Sequence, residues 1–88
     1  MTDKLSEFRG NLDEIDADLV STLEKRFGVC KKIGEYKKAN NFPVECLDRE
    51  KQVVESMKEN SSLNPSFIEE VFSSIFKESK RIMGEDED

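Results

Sequence analysis

The sequence predicts an all-α protein with three helices per chain, one long and two shorter. Three observations carry this. From Leu5 the apolar residues fall at 5, 8, 12, 15, 19, 23, 27, 30 and 33, always three or four apart, the spacing of one helix face. The chain has no Trp, one Tyr and two Pro, and it is rich in Lys, Glu, Leu, Ile and Ser, which suits helices better than a turn-rich β-sandwich. Asn64 followed by Pro65 is a strong helix-start signal, since proline at the first helical position loses no hydrogen bond.

The first helix is expected over about residues 4–38, with Thr2 or Asp3 as its cap. Gly10, Gly28 and Gly34 each cost about 1 kcal/mol relative to Ala, but the apolar rhythm runs past all three, and close backbone packing is their expected reason. The stretch ANNFPVE, residues 39–45, ends the helix: Asn40 and Asn41 favour turns, and Pro43 biases Phe42 out of the helical region. Leu47, Val53, Val54 and Met57 space a second helix over about 46–59. NSSLNP breaks it, and Phe67, Ile68, Val71, Phe72, Ile75, Phe76 and Ile82 mark a third over about 65–83. There are no internal repeats, so residues 1–88 form a single domain, with an acidic tail over 84–88.

At 1.5 Å per residue the first helix is about 52 Å long and the others near 21 and 28 Å. Two short helices cannot cover the long one within a compact monomer. A chain of 88 residues is also marginally stable alone. An intertwined six-helix homodimer, with two first helices running antiparallel, is the expected solution.

The net charge of −6 comes from 14 basic against 20 acidic residues, and four of the acids are Glu85, Asp86, Glu87 and Asp88 in the tail. The remainder is nearly balanced and gives no electrostatic footprint for nucleic acid or an anionic membrane. No apolar run approaches the roughly 20 residues of a membrane span, and MTDKLSEF lacks a signal-peptide core; a soluble cytoplasmic protein is expected. With no His and two cysteines outside any CxxC spacing, a zinc site is excluded on ligand count, and Cys30 and Cys46 are expected as reduced thiols.

The anomaly is polar. At about 100° per residue, Arg26 and Lys37 both fall in the middle of the first helix's apolar stripe. Glu50 lies at the centre of the second helix's stripe, Arg49 about 40° outside its edge, and Ser79 among the apolar residues of the third. Taken singly, each cation is expected to reach the rim or pair with Glu50. Together, four such groups on three converging stripes point to a ligand, because a purely structural network would more cheaply be apolar. Arg26 and Lys37 stand three turns apart, about 16 Å, and so bracket a small anion. Arg9, about 25 Å before Arg26, reaches that gap only from the antiparallel partner. The residues thus predict a small dianion shared between protomers.

These features resemble the all-helical class of chorismate mutases. The resemblance runs from LSEFRGNLDEIDADLVSTLEKR through KKIGEYKKANNFPVECLDRE to FIEEVFSSIFKESKRI, nearly the whole chain. RGNLDEID, the KR of the first helix, IGEYK and DRE are specific in combination. The resemblance implies an intertwined dimer converting chorismate to prephenate, the branch step toward phenylalanine and tyrosine. By position it makes Arg26 and the partner's Arg9 clamps on the substrate carboxylates, and Lys37 the cation at the ether oxygen and a carboxylate. Arg49 then supports the charge network, Glu50 holds the ring hydroxyl and Ser79 binds the ring carboxylate. No cofactor or metal is implied, since an intramolecular Claisen rearrangement needs positioning and fixed charge rather than a nucleophile.

Two positions depart from the family. Met83 stands where members often carry a Gln or Glu that donates to the ether oxygen, and a thioether cannot donate. Cys46 stands where some have an acid near the ring hydroxyl. They motivate an alternative on the same scaffold: rearranging 4-amino-4-deoxychorismate, or eliminating pyruvate from isochorismate. The alternative of another class is a non-catalytic helical dimer or regulatory subunit, which would bind no dianion.

Overall fold

The structure is a computed structural model, and it describes residues 3–85. Thr2 and tail residues 86–88 lie outside that range. Helix α1 spans Lys4–Ala39. Asp3 caps it, its carboxylate accepting from the Ser6 N–H at 2.9 Å, which satisfies one of the open donors of the first turn. At the other end Lys37 and Lys38 occupy the last turn, where cations complement the helix dipole. The Asn40 amide donates back to the Tyr36 carbonyl at 2.8 Å. Asn41 takes a positive φ of 60°, and the Phe42 N–H then closes on the Lys37 carbonyl at 2.8 Å. The two asparagines thus stop the helix as the sequence predicts.

Helix α2 spans Leu47–Glu59. Cys46 occupies its cap position without a side-chain cap bond, and Asp48 and Glu50 in the first turn favour the positive end of the dipole. The expected helix began one residue earlier, at Cys46, which the structure places in extended backbone. Helix α3 spans Pro65–Lys80, capped by Asn64, whose side chain accepts from the Ser66 N–H at 2.8 Å.

The third helix was expected to run to residue 83, but α-helical geometry stops at Lys80 and a π-turn follows over Arg81–Glu85. Gly84 ends it with φ 115°, a conformation that glycine adopts without steric cost. The wider turn brings the backbone of Met83 against Gly34 of α1, where a Cβ would stand 2.6 Å from the Met83 carbonyl oxygen. Close packing therefore explains Gly34. Gly10 and Gly28 meet nothing within 4 Å in this chain.

Helix α2 packs on α3, and α1 packs on α3 and the π-turn. Cys30, Ile68 and Phe76 are the buried apolar side chains, with Ser79 buried among them. That core occupies one end of a body 61 Å long. Along the N-terminal half of α1, Leu5, Phe8, Leu12, Ile15 and Leu19 are 53–60% exposed; the stripe that the periodicity predicts is present and uncovered. No helix of the described residues is long and apolar enough to cross a membrane.

Candidate active site

The C-terminal half of α1, the start of α2 and the end of α3 wall a cavity of about 610 Å³, within the range of small-molecule sites. Every candidate site residue except Arg9 lines it: Arg26, Lys37, Cys46, Arg49, Glu50, Ser79 and Met83. Arg9 is exposed on α1, remote from the cavity, as its helical distance predicts.

Arg26 projects from α1 and donates through Nη1 to Ser79 Oγ at 2.6 Å and to Cys30 Sγ at 3.5 Å. Its guanidinium lies over the Phe76 ring, 5.8 Å from the centroid, a favourable placement for a delocalised cation. Ser79 is 3% exposed and its hydroxyl donates to the Ile75 carbonyl at 2.7 Å, so its oxygen is free to accept from Arg26. Lys37, three turns along the same face, donates to the Val44 carbonyl at 3.0 Å. That loop carbonyl follows from the turn at Asn40 and Asn41, which folds Val44 back over α1.

Neither cation pairs with Glu50, the partner expected when each is considered singly. Among the described residues, Arg26 and Lys37 have neutral partners only, and both stay half-buried. Their positive charge therefore remains available to an incoming anion. Arg49 adds a third cation from the first turn of α2. Its helical angle puts it outside the α2 stripe and it is exposed, yet it contributes to the cavity lining.

Glu50 instead pairs with Lys80, Nζ to Oε2 at 3.2 Å, and Lys80 also holds Glu45 at 2.8 Å. The carboxylate of Glu45 first, and then that of Glu50, keeps the Lys80 ammonium above the ordinary lysine range. Sequence reasoning missed Lys80. No spacing would have found it, because its two acids come from the loop and from α2. Phe76 and Val44 were also missed, since an apolar ring and a backbone carbonyl carry no sequence signature of a site.

Among the described residues the cavity is thus lined by four cationic side chains, Arg26, Lys37, Arg49 and Lys80, by the apolar Val29, Ile33, Val53 and Phe76, and by one carboxylate, Glu50, already paired with Lys80. Such a set has the chemistry to hold a compact anion through guanidinium and ammonium contacts against apolar walls.

Comparison with known proteins gives the chain's family. The family model described as chorismate mutase type II matches residues 8–84. A 4-amino-4-deoxychorismate mutase of Streptomyces pristinaespiralis is 32% identical over 87 residues, which cover 96% of this chain and 67% of that protein. A bifunctional chorismate mutase/prephenate dehydratase of Buchnera aphidicola subsp. Schizaphis graminum is 33% identical over 78 residues, 85% of this chain and 20% of the relative. One of the same description from Aquifex aeolicus is 33% identical over 55 residues, 62% of this chain and 15% of the relative. The chain therefore spans two thirds of the first of these and about a fifth or less of the bifunctional relatives.

Proposed function

The chain belongs to the chorismate mutase type II family, and from that premise we propose that its cavity rearranges chorismate to prephenate. The observation that carries the reading is the pair of half-buried cations, Arg26 and Lys37, that face one cavity from one helix with only neutral partners. Arg26 clamps a carboxylate, and Ser79, already bonded to it, sits beside that carboxylate as a second contact. Lys37 places fixed charge where the ether oxygen becomes negative as the C–O bond breaks and the new C–C bond forms. Arg49 reinforces the cationic wall, and Glu50 accepts from the ring hydroxyl. No group needs to exchange a proton with the substrate. Holding the flexible enolpyruvyl arm over the ring is the other half of the catalysis.

The working form in this reading is an intertwined homodimer. Exposed Leu5, Phe8, Leu12, Ile15 and Leu19 form a contiguous apolar stripe of the kind that marks an association surface. Two such stripes packed antiparallel would carry the partner's Arg9 to the mouth of this cavity, as the second carboxylate clamp.

A second reading is supported by Met83 in the cavity wall and by the Streptomyces relative's name: the same rearrangement of 4-amino-4-deoxychorismate. The test is loss of chorismate absorbance with purified protein, beside 4-amino-4-deoxychorismate and isochorismate. Chorismate turnover that falls about 10²-fold or more in Lys37→Ala is the expected result. Turnover of the amino compound alone would replace the first reading with the second, and inertness toward all three would remove both.

A further inference from the structure

Lys80 has no part in the chemistry above, yet it lines the same cavity, and its ammonium engages the carboxylate that in our reading meets the substrate ring. Glu50 is the one carboxylate among the lining residues described, so a cation on a ligand has a single anionic group to approach. One side of that group is taken: Lys80 Nζ stands 3.2 Å from Glu50 Oε2. The side chains of Lys80 and Glu50 are 17% and 23% exposed, so their fields are only partly screened. Glu45, at 2.8 Å, draws Lys80 toward the loop side and fixes it there.

We propose that Lys80, acting through Glu50, makes this cavity select a ring that carries a neutral hydroxyl over one that carries an ammonium. The inference rests on the reading that the cavity holds a chorismate-type dianion. A carboxylate that already receives an ammonium keeps lone pairs for a neutral O–H. A ligand ammonium at the same carboxylate meets both a partner whose charge is neutralised and a like charge within a few ångströms, which disfavours it. The allylic amine of 4-amino-4-deoxychorismate is protonated near neutral pH and suffers this repulsion; the hydroxyl of chorismate does not. Lys80 is thus a positioning residue for specificity. Its substitution should change which substrate is preferred rather than whether the rearrangement occurs.

The experiment is the ratio of kcat/KM for chorismate to that for 4-amino-4-deoxychorismate, measured with the full chain as wild type, Lys80→Gln and Glu45→Gln. The wild type should favour chorismate. Lys80→Gln, which keeps a polar side chain and removes the charge, should lower the ratio about tenfold or more. Glu45→Gln, which leaves Lys80 to Glu50 alone, should raise it, and it decides the matter if Lys80→Gln does not fold by circular dichroism. A wild type active on chorismate whose ratio moves less than twofold in the folded variants overturns the inference and leaves the mutase reading intact. A wild type that prefers the amino compound also overturns it, in favour of the second reading. A wild type inert on both substrates removes the mutase reading, and the inference with it.

Discussion

The backbone of Met83 packs so closely on Gly34 that a Cβ at position 34 would stand 2.6 Å from its carbonyl oxygen and 2.7 Å from its Cα. Backbone cannot swing aside as a side chain would. Gly34→Ala should therefore push the π-turn off α1 and move Met83, with neighbouring Lys80 and Ser79, out of register with Arg26. An overpacking cost of about 1–3 kcal/mol is expected, despite the gain of about 1 kcal/mol in helix propensity. Urea denaturation reads the cost, and kcat/KM should fall with it. A more stable Gly34→Ala protein would contradict the contact.

Ser79 holds Arg26 in place through a 2.6 Å bond, and the serine itself is buried. Ser79→Ala should leave a half-buried guanidinium over the Phe76 ring with the weak Cys30 sulfur as its one hydrogen-bond acceptor among the described residues, costing about 1.5–3 kcal/mol. Ser79→Thr keeps the oxygen and should recover part of that. Because the serine also contacts the substrate carboxylate in our reading, KM for chorismate should rise more than kcat falls. Steady-state kinetics beside denaturation curves separate the two effects.

Ile15 is 60% exposed at the middle of the uncovered α1 stripe. In an isolated chain Ile15→Asp would change stability by no more than about 0.5 kcal/mol. In the intertwined dimer we propose, it places a charge in an apolar seam and should abolish association. Sedimentation should report a dimer for the wild type and a monomer, or unfolded chain, for Ile15→Asp, with activity lost because Arg9 no longer reaches its site. An unchanged sedimentation coefficient would show that this stripe is not the interface.

Helical angle alone makes Arg26, Lys37, Glu50 and Ser79 legible, because each breaks an otherwise apolar face and all three faces converge. The helix starts at Asp3 and Asn64 are legible from cap chemistry. Helical angle alone places Arg49 outside the stripe, and only the reach of its long side chain brings it to the cavity lining. It also fails for the partners. Considered singly, Arg26 and Lys37 are expected to reach the rim or to pair with Glu50, but the loop brings the Val44 carbonyl to Lys37 and the end of α3 brings Lys80 to Glu50. Both are tertiary facts with no local spacing behind them. The π-turn is hidden for a related reason: Ile82 and Met83 continue a helical rhythm, and only the contact with Gly34 shows why the chain widens there.

Glu45 and Glu50 raise the Lys80 pKa above the ordinary lysine value, which fixes the pH window of this pair. A group whose folded pKa is raised contributes stability that is fully present below its unfolded pKa and is lost as pH rises through the folded one. For a lysine that window is strongly alkaline, from about pH 10 upward. The difference in Tm between wild type and Lys80→Gln should thus stay constant from about pH 6 to 9 and shrink only above about pH 10. The chorismate preference should be equally flat over the neutral range, because Lys80 does not titrate there. A preference that changes between about pH 6 and 8 would assign the selectivity to a different group, since lysine has an ordinary pKa far above that range.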